Sequence, residues 1–267
     1  MWDFNRGVSS GRLWVGTSGW QYKHWLNGVF YPPRLRTEEQ LPFFAGEYPT
    51  VEINASYYRL PERTSFIKWR QQTPPGFLFA VKASRYLTHM KKLSDPEEPL
   101  GRLMERATGL EEKLGPVLFQ FPHTWRLNLE RLRQFTGLLR AYPDHRFTFE
   151  FRHASWLVPE VYTLLEETGA ALCLPAAPQM PLDVRLTAPW SYVRMHGGHS
   201  GWGFTDGELE WWAERIRPML AGGTEVFVYF NNDLGGHAIY DSRRFRELFP
   251  TEAVVWPRYE VDARLAA

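Results

Sequence analysis

The stretch FTFEFRHASW, residues 147–156, decides how the chain folds. Successive side chains of a β-strand point to opposite faces, so three phenylalanines share one face of this stretch. The other face carries Thr148, Glu150 and Arg152. Burying a carboxylate and a guanidinium is costly unless the two are paired or used for function. The ionic face therefore needs a structural or functional explanation. The predicted fold depends on whether other strands also carry a polar face.

Seven other stretches have the character of strands, and several carry polar side chains late in the strand. Glu52 and Asn54 share one face of the second predicted strand, and Arg194 and His196 share one face of the seventh. The sixth is weak and carries no charge. The predicted strands lie in the segments 13–20, 50–61, 76–84, 116–122, 147–156, 170–176, 190–198 and 225–233.

Helical segments separate most of these strands, and the alternation predicts a single (β/α)8 TIM-type barrel of the α/β class. A doubly wound sheet alternates in the same way, but it does not explain why the ionic face recurs. In a barrel that face points into the closed interior, and all strands end at one mouth. We assign the barrel domain to 13–249, a polar leader to 1–12 and a C-terminal tail to 250–267, in which the apolar 254–256 predicts one more packed segment.

Composition and charge exclude several classes of protein. The 267 residues carry a formal net charge of +1, which indicates no attraction of the whole protein to nucleic acid or to an anionic membrane. The single Cys173 excludes an intramolecular disulfide and a metal site built on several thiolates. The start of the sequence lacks the apolar core of a signal peptide, and no run of about 18 apolar residues occurs. We therefore expect a cytoplasmic protein without a membrane span.

Polar residues near the strand ends are the candidate functional residues, because barrels of this type place their active sites there. The predicted catalytic residues are Glu52, Lys82, Glu150 and His196. Substrate binding is predicted for a wider set of basic, amide and aromatic residues near the mouth. These are Trp20, Asn54, Tyr58, Arg59, Gln120, Arg152, Trp156, Arg194, Asn231 and Asn232.

The two glutamates admit two interpretations. They could act as acid and base, or as acid and nucleophile, in glycoside hydrolysis, depending on their separation. Alternatively, each pairs with an arginine such as Arg59, Arg152 or Arg194 in a buried network that fills the barrel. The sequence does not give the distance that would decide between these interpretations.

The basic residues at the strand ends favour an anionic ligand, since arginines bind phosphate and carboxylate oxygens in pairs. Lys82 could act as a point charge or as a base of depressed pKa, and a Schiff-base role would require a desolvated lysine. The alternative is that these cations only balance the glutamates. A divalent metal is a further hypothesis, although no short metal-binding motif occurs. The candidate ligands are Glu52, Glu150, His153 and His196. Asp233, His199 and His237 also fall near strand ends.

The strand-end motifs together resemble the YecE-like family, also called domain of unknown function 72. The motifs are VGTSGW (15–20), VEINASYYRLP (51–61), FAVKAS (79–84), LGPVLFQFP (114–122), FEFRHASW (149–156), YVRMHG (192–197) and VYFNND (228–233). The resemblance implies a (β/α)8 barrel and assigns no reaction. Asp233 stands where relatives commonly have histidine, and the sixth strand ends without the acidic residue found in some of them, which weakens the transfer of a metal site.

Three functional hypotheses follow. The first is an enzyme at the barrel mouth that acts on a phosphorylated or nucleic-acid-derived substrate, with Glu150 as general base or metal ligand, Glu52 as its partner, and His196 transferring a proton or binding metal. The second is a metal-independent carbohydrate-active hydrolase that uses the two glutamates. The third is a barrel that binds a small anionic ligand or a nucleic acid strand without catalysis. The oligomeric state stays open.

Overall fold

A computed structural model describes residues 11–256, and its centre is a closed barrel of eight parallel strands. The strands pair in chain order, and β8 closes the barrel by pairing with β1. The prediction of a single (β/α)8 barrel is confirmed. The strands are β1 Leu13–Ser18, β2 Thr50–Ile53, β3 Leu78–Lys82, β4 Leu114–Gln120, β5 Phe147–Glu150, β6 Ala171–Ala176, β7 Trp190–Met195 and β8 Glu225–Phe230.

Helices surround the barrel and begin where the sequence provides suitable caps. Asn128 accepts a hydrogen bond from the backbone N–H of Arg131 at 3.0 Å, and Thr205 forms a capping box with Glu208. The connection 177–189 contains no helix, because Pro178, Pro181 and Pro189 interrupt it. The helices are α1 Gln40–Glu47, α2 Ala55–Tyr58, α3 Arg63–Gln71, α4 Glu97–Ala107, α5 Leu129–Leu139, α6 Pro159–Thr168, α7 Asp206–Ala221 and α8 His237–Glu247.

The barrel wall separates two hydrophobic cores. The outward face of β5 packs beneath the helices, where the rings of Phe149 and Phe119 lie 5.3 Å apart and Phe135 of α5 covers them. The inner core fills the amino end of the barrel with side chains such as Trp14 and Phe227, whose rings stack at 6.0 Å. The interior is therefore apolar at the amino end, and its polar residues are concentrated toward the mouth.

The described part of the predicted tail packs against the amino end of the barrel. The backbone N–H of Val254 donates to Leu13 of β1 at 2.9 Å, and the indole of Trp256 donates to the carbonyl of Ala45 at 2.7 Å. Residues 1–10 of the predicted leader and 257–267 of the tail lie outside the described residues. Within residues 11–256, no helix is both long enough and apolar enough to cross a lipid bilayer.

Candidate active site

Arg194 of β7 crosses the barrel and binds both glutamates. Its Nε and Nη2 donate to Glu52 of β2 at 2.9 and 2.8 Å, and its Nη1 donates to Glu150 of β5 at 2.7 Å. All three side chains are fully buried. One guanidinium therefore connects three strands, and Arg194 is not free to bind a substrate as the sequence predicted.

Four nitrogen donors and the thiol of Cys173, whose Sγ lies 3.8 Å from Oε2, surround the carboxylate of Glu150. Besides Arg194, Gln120 and Arg152 donate to its Oε1 at 2.7 Å each, and His196 lies 3.2 Å from its Oε2. Burial opposes ionisation, but Arg194, His196 and Arg152 hold the pKa of Glu150 well below its ordinary value. An ionised carboxylate so fully coordinated is a weak base. This arrangement does not favour Glu150 as general base or Gln120 as a ligand contact, and both assignments stay predictions.

Glu52 is held in a similar way. Ser18 of β1 and Tyr192 of β7 each donate to its carboxylate at 2.7 Å, in addition to the two bonds from Arg194. Burial would raise the pKa of Glu52, but Arg194, Lys82 and the hydrogen bond from Tyr192 lower it. Glu52 is thus an ionised structural anchor rather than a free acid. The buried network that the sequence left as an alternative is the arrangement that the structure shows.

An arc of hydrogen bonds extends from Glu150 along the mouth. Burial lowers the pKa of His196. Glu150 opposes this shift and Arg194 adds to it, so the imidazole of His196 is neutral at pH 7. We assign the proton to Nε2, which then donates to Glu150, while Nδ1 accepts from Asn231 at 3.1 Å. Asn231 in turn accepts from Asn54 at 3.3 Å. Both ring nitrogens of His196 are occupied, so it positions Asn231 instead of transferring a proton directly.

Lys82 differs from every other charged group at the mouth. It ends β3 inside the barrel with 8% of its surface exposed, and its Nζ lies 4.3 Å from the ring centroid of Tyr57. Within the described residues, Nζ makes no hydrogen bond and has no carboxylate within ion-pair distance. Burial, and after it the positive charge of Arg194, lowers the pKa of Lys82 to about 7. The negative charges of Glu52 and Glu150 oppose this shift. Lys82 is the desolvated lysine that a base or a nucleophile requires.

Arg152 provides the second available cation at the mouth. Its Nε is fixed by Glu150, its side chain is 26% exposed, and its two terminal nitrogens have no hydrogen-bond partner in residues 11–256. Arg59 and Tyr58, both exposed, lie farther out and line a cavity of about 350 Å³ between the loops after β2 and β3. Tyr57 and Ser84 also line this cavity, and Tyr57 covers Lys82, which is not itself a lining residue.

Three predicted ligand contacts are structural instead. Trp156 is fully buried outside the barrel wall, where its ring stacks on Phe151 at 4.9 Å. Trp20 packs edge-on against Trp69 at 5.3 Å in the same outer core. Asn232 is buried and donates to Asp241 of α8 at 2.8 Å. Each lies near a strand end in sequence, but its side chain points away from the mouth.

The candidate metal ligands do not converge. His153 accepts a hydrogen bond from the backbone of Ser155, His199 pairs with Glu208, and Asp233 pairs with His24. Both glutamates are ion-paired with Arg194. In the part of the chain that the structure describes, no group of three or more His, Cys, Asp or Glu side chains could hold a metal ion. The residues present therefore do not fit the divalent metal that the sequence suggested.

Sequence reasoning did not connect Tyr57 and His89 with Lys82. Tyr57 covers its ammonium group, and His89 packs edge-on against Tyr57 at 5.2 Å. His89 belongs to the π-helix Tyr86–Met90, a type of helix frequent at functional sites. Burial, with Lys82, Arg152 and Arg85 nearby, lowers the pKa of His89 to about 4, so it is neutral at pH 7. The sequence contained one indication of this arrangement, the pair Tyr57 and Tyr58 that follows the second strand.

The fold and the site together define a class of protein: a (β/α)8 barrel whose available polar side chains meet at the carboxyl ends of its strands. The chain belongs to the family described as "Protein of unknown function DUF72", whose model matches residues 14–262. The resemblance inferred from the strand-end motifs is thereby confirmed.

Named relatives and solved structures agree with this assignment. The UPF0759 protein YunF of Bacillus subtilis is 27% identical over 273 aligned residues, covering 90% of this chain and 95% of YunF. A crystal structure of a DUF72 family protein from Thermotoga maritima is 28% identical with a TM-score of 0.79, covering 90% of this chain and 99% of that one. D-psicose 3-epimerase from Clostridium cellulolyticum H10, solved with D-tagatose, is 11% identical with a TM-score of 0.50 over 90% and 92% of the two chains, which shows a shared fold alone.

Proposed function

We propose that the protein is an enzyme that acts on a small anionic substrate at the barrel mouth. Lys82 is its reacting amine or general base, and Arg152 binds the anionic group of the substrate. One observation carries the proposal. Lys82 is enclosed at the mouth without a hydrogen bond or an ion pair among the described residues, while both neighbouring glutamates are bound to Arg194.

A purely structural role does not account for this lysine. Burying an ammonium group without a partner destabilises the folded state, so a lysine kept for stability is expected to be paired. Lys113 shows the paired arrangement in the same chain, since its Nζ donates to the carbonyls of Arg70 and Thr73 at 2.7 and 2.6 Å and to Thr73 Oγ1 at 3.1 Å. Lys82 lacks such acceptors, which supports a role toward a ligand.

The charges at the mouth favour an anion. Arg152 and Arg194 balance the two carboxylates, which are both engaged by arginine, and the protonated fraction of Lys82 adds a positive charge to this balance. The free nitrogens of Arg152 can bind two oxygens of a carboxylate or phosphate side by side. The glutamate-pair hydrolase receives no support from this geometry, because a general acid must be able to release a proton and both glutamates are ionised.

Ligand binding tests the proposal. Calorimetric titration with a panel of small carboxylates and phosphates, followed by turnover assays on those that bind, is expected to find a ligand whose affinity falls about 10- to 100-fold in Arg152→Met and in Lys82→Met, the cost of a lost charge-assisted hydrogen bond. Lys68→Met, at an exposed site on α3, is the matched control and should bind as the wild type does. Equal affinity in all variants would contradict the proposed anion site, and tight binding without turnover would contradict the enzyme.

A further inference from the structure

We propose that Lys82 forms a covalent imine with the carbonyl carbon of a small anionic aldehyde or ketone, such as a 2-oxo acid or a phosphorylated carbonyl compound. This inference rests on the proposed function, because it assigns a chemistry and a substrate class to the same site. The imine requires that Nζ of Lys82 is reactive, whereas the proposed function also requires that Arg152 binds the anionic group.

The position of Lys82 suits a nucleophile. Its carbonyl accepts a hydrogen bond from Ser56 Oγ at 2.6 Å, which fixes the end of β3, and its backbone pairs with Leu118 of β4. The side chain then extends inside the barrel toward the mouth, under the ring of Tyr57. A lone pair on Nζ is free to attack, because no carboxylate in residues 11–256 lies close enough to hold its proton.

The surroundings keep a usable fraction of the amine neutral. The groups that face Lys82 are Arg194, Glu52, Glu150 and Arg152, with Tyr57 and the neutral His89 beside it. Burial and the two arginines outweigh the glutamates and bring the pKa to about 7. An ordinary lysine with a pKa near ~10.4 is neutral at pH 7 in only about 1 molecule in 2,500. Lys82 is thus about a thousandfold richer in the reactive form.

The chemical step balances without an oxidant or a reductant. The lone pair of neutral Nζ attacks the carbonyl carbon, an N–C bond forms, and the π electrons of the carbonyl move to its oxygen. Proton transfer from nitrogen to oxygen gives a carbinolamine, which takes up a further proton and loses water. The product is a protonated imine, whose positive nitrogen attracts electrons from an adjacent C–H or C–C bond. Arg152 would hold the carboxylate or phosphate of the same substrate.

A cavity large enough for such a molecule lies next to Tyr57, the residue that covers Lys82, although Lys82 does not line it. The cavity of about 350 Å³ that includes Tyr57 and Ser84 lies within the size range of small-molecule sites. The guanidinium of Arg59 lines it without a hydrogen bond or ion pair among the described residues, whereas Arg102 and Arg106 there pair with Glu98 and Glu62. Arg59 therefore adds a second contact for an anionic group that extends from the mouth.

Reductive trapping tests the inference. The protein is incubated at pH 7 with glyoxylate, which is anionic, or with acetaldehyde, which is neutral, in the presence of cyanoborohydride, and modified lysines are located by peptide mass spectrometry. We expect glyoxylate to modify Lys82 at least tenfold faster than Lys113, which is buried but hydrogen bonded, and than the exposed Lys68. Arg152→Met should slow trapping of glyoxylate more than trapping of acetaldehyde, because acetaldehyde loses only the effect of Arg152 on the pKa of Lys82. Lys82→Arg should remove the fast site.

The outcomes separate the two proposals. Modification of Lys82 no faster than that of Lys68, with either compound, would overturn the imine while leaving the anion site to the binding experiment. Lys82 could instead trap acetaldehyde as fast as glyoxylate, with no effect of Arg152→Met on either rate. That result would overturn both the anionic substrate class and the proposed anion site.

Discussion

Replacing Arg194 with methionine is expected to lower the free energy of unfolding by about 3–5 kcal/mol, the typical cost of removing one partner of a buried ion pair. The variant leaves Glu52 and Glu150 ionisable, fully buried and without their shared cation. At roughly 2–4 °C per kcal/mol for a chain of this size, the Tm should fall by about 10 °C. Thermal and urea unfolding measure the loss.

Two comparisons make this result specific. Arg102→Met removes an exposed ion pair with Glu98 on α4 and should change stability by less than about 1 kcal/mol. The triple variant Arg194→Met, Glu52→Gln and Glu150→Gln removes the buried charges together and should recover part of the loss. A single Arg194→Met variant as stable as Arg102→Met would show that the guanidinium does not hold the three strands together.

Replacing Trp156 with alanine is expected to destabilise the fold by about 3–5 kcal/mol, the usual cost of truncating a large buried aromatic side chain. Trp156 contacts Phe121, Trp125 and Phe151, and its indole N–H donates to the carbonyl of Trp125 at 2.7 Å. The change creates a cavity behind the barrel wall. Urea unfolding measures the loss.

Trp202→Ala is the matched control, because Trp202 lies on the loop before α7 with 56% of its surface exposed. Its removal should change stability by less than about 0.5 kcal/mol. If Trp156→Ala left stability unchanged and weakened binding of a ligand identified at the mouth, the sequence-based assignment of Trp156 as a ligand contact would be restored and its placement in the core would be wrong.

The sequence predicted the barrel because strand faces follow from local alternation. The outward phenylalanines and the inward Glu150 of β5 obey the period of two, and polar residues late in several strands indicate a common mouth. The position of the Trp156 side chain could not be predicted from strand alternation. It follows β5 closely in sequence, but the turn Ala154–Trp156 directs its ring to the outer core.

The chemistry of the site depends on distances across the barrel, which no strand pattern contains. The sequence brought Glu52 and Glu150 together as candidate acid and base, but it could not show that Arg194 reaches both. The environment of Lys82 depends in the same way on Tyr57, on His89 and on charged side chains of β2, β5 and β7. The sequence therefore named most of the residues at the mouth, and the fold decided which of them are free to react.

The pKa of Lys82 shows whether its amine is desolvated. In protein labelled with ¹³C-lysine, the Cε resonance that is missing from the spectrum of Lys82→Arg belongs to Lys82 and can be followed from pH 5 to pH 11. The account predicts a titration midpoint of about 7. A midpoint near ~10.4, the ordinary value for lysine, would show a hydrated or ion-paired ammonium group and would contradict the account.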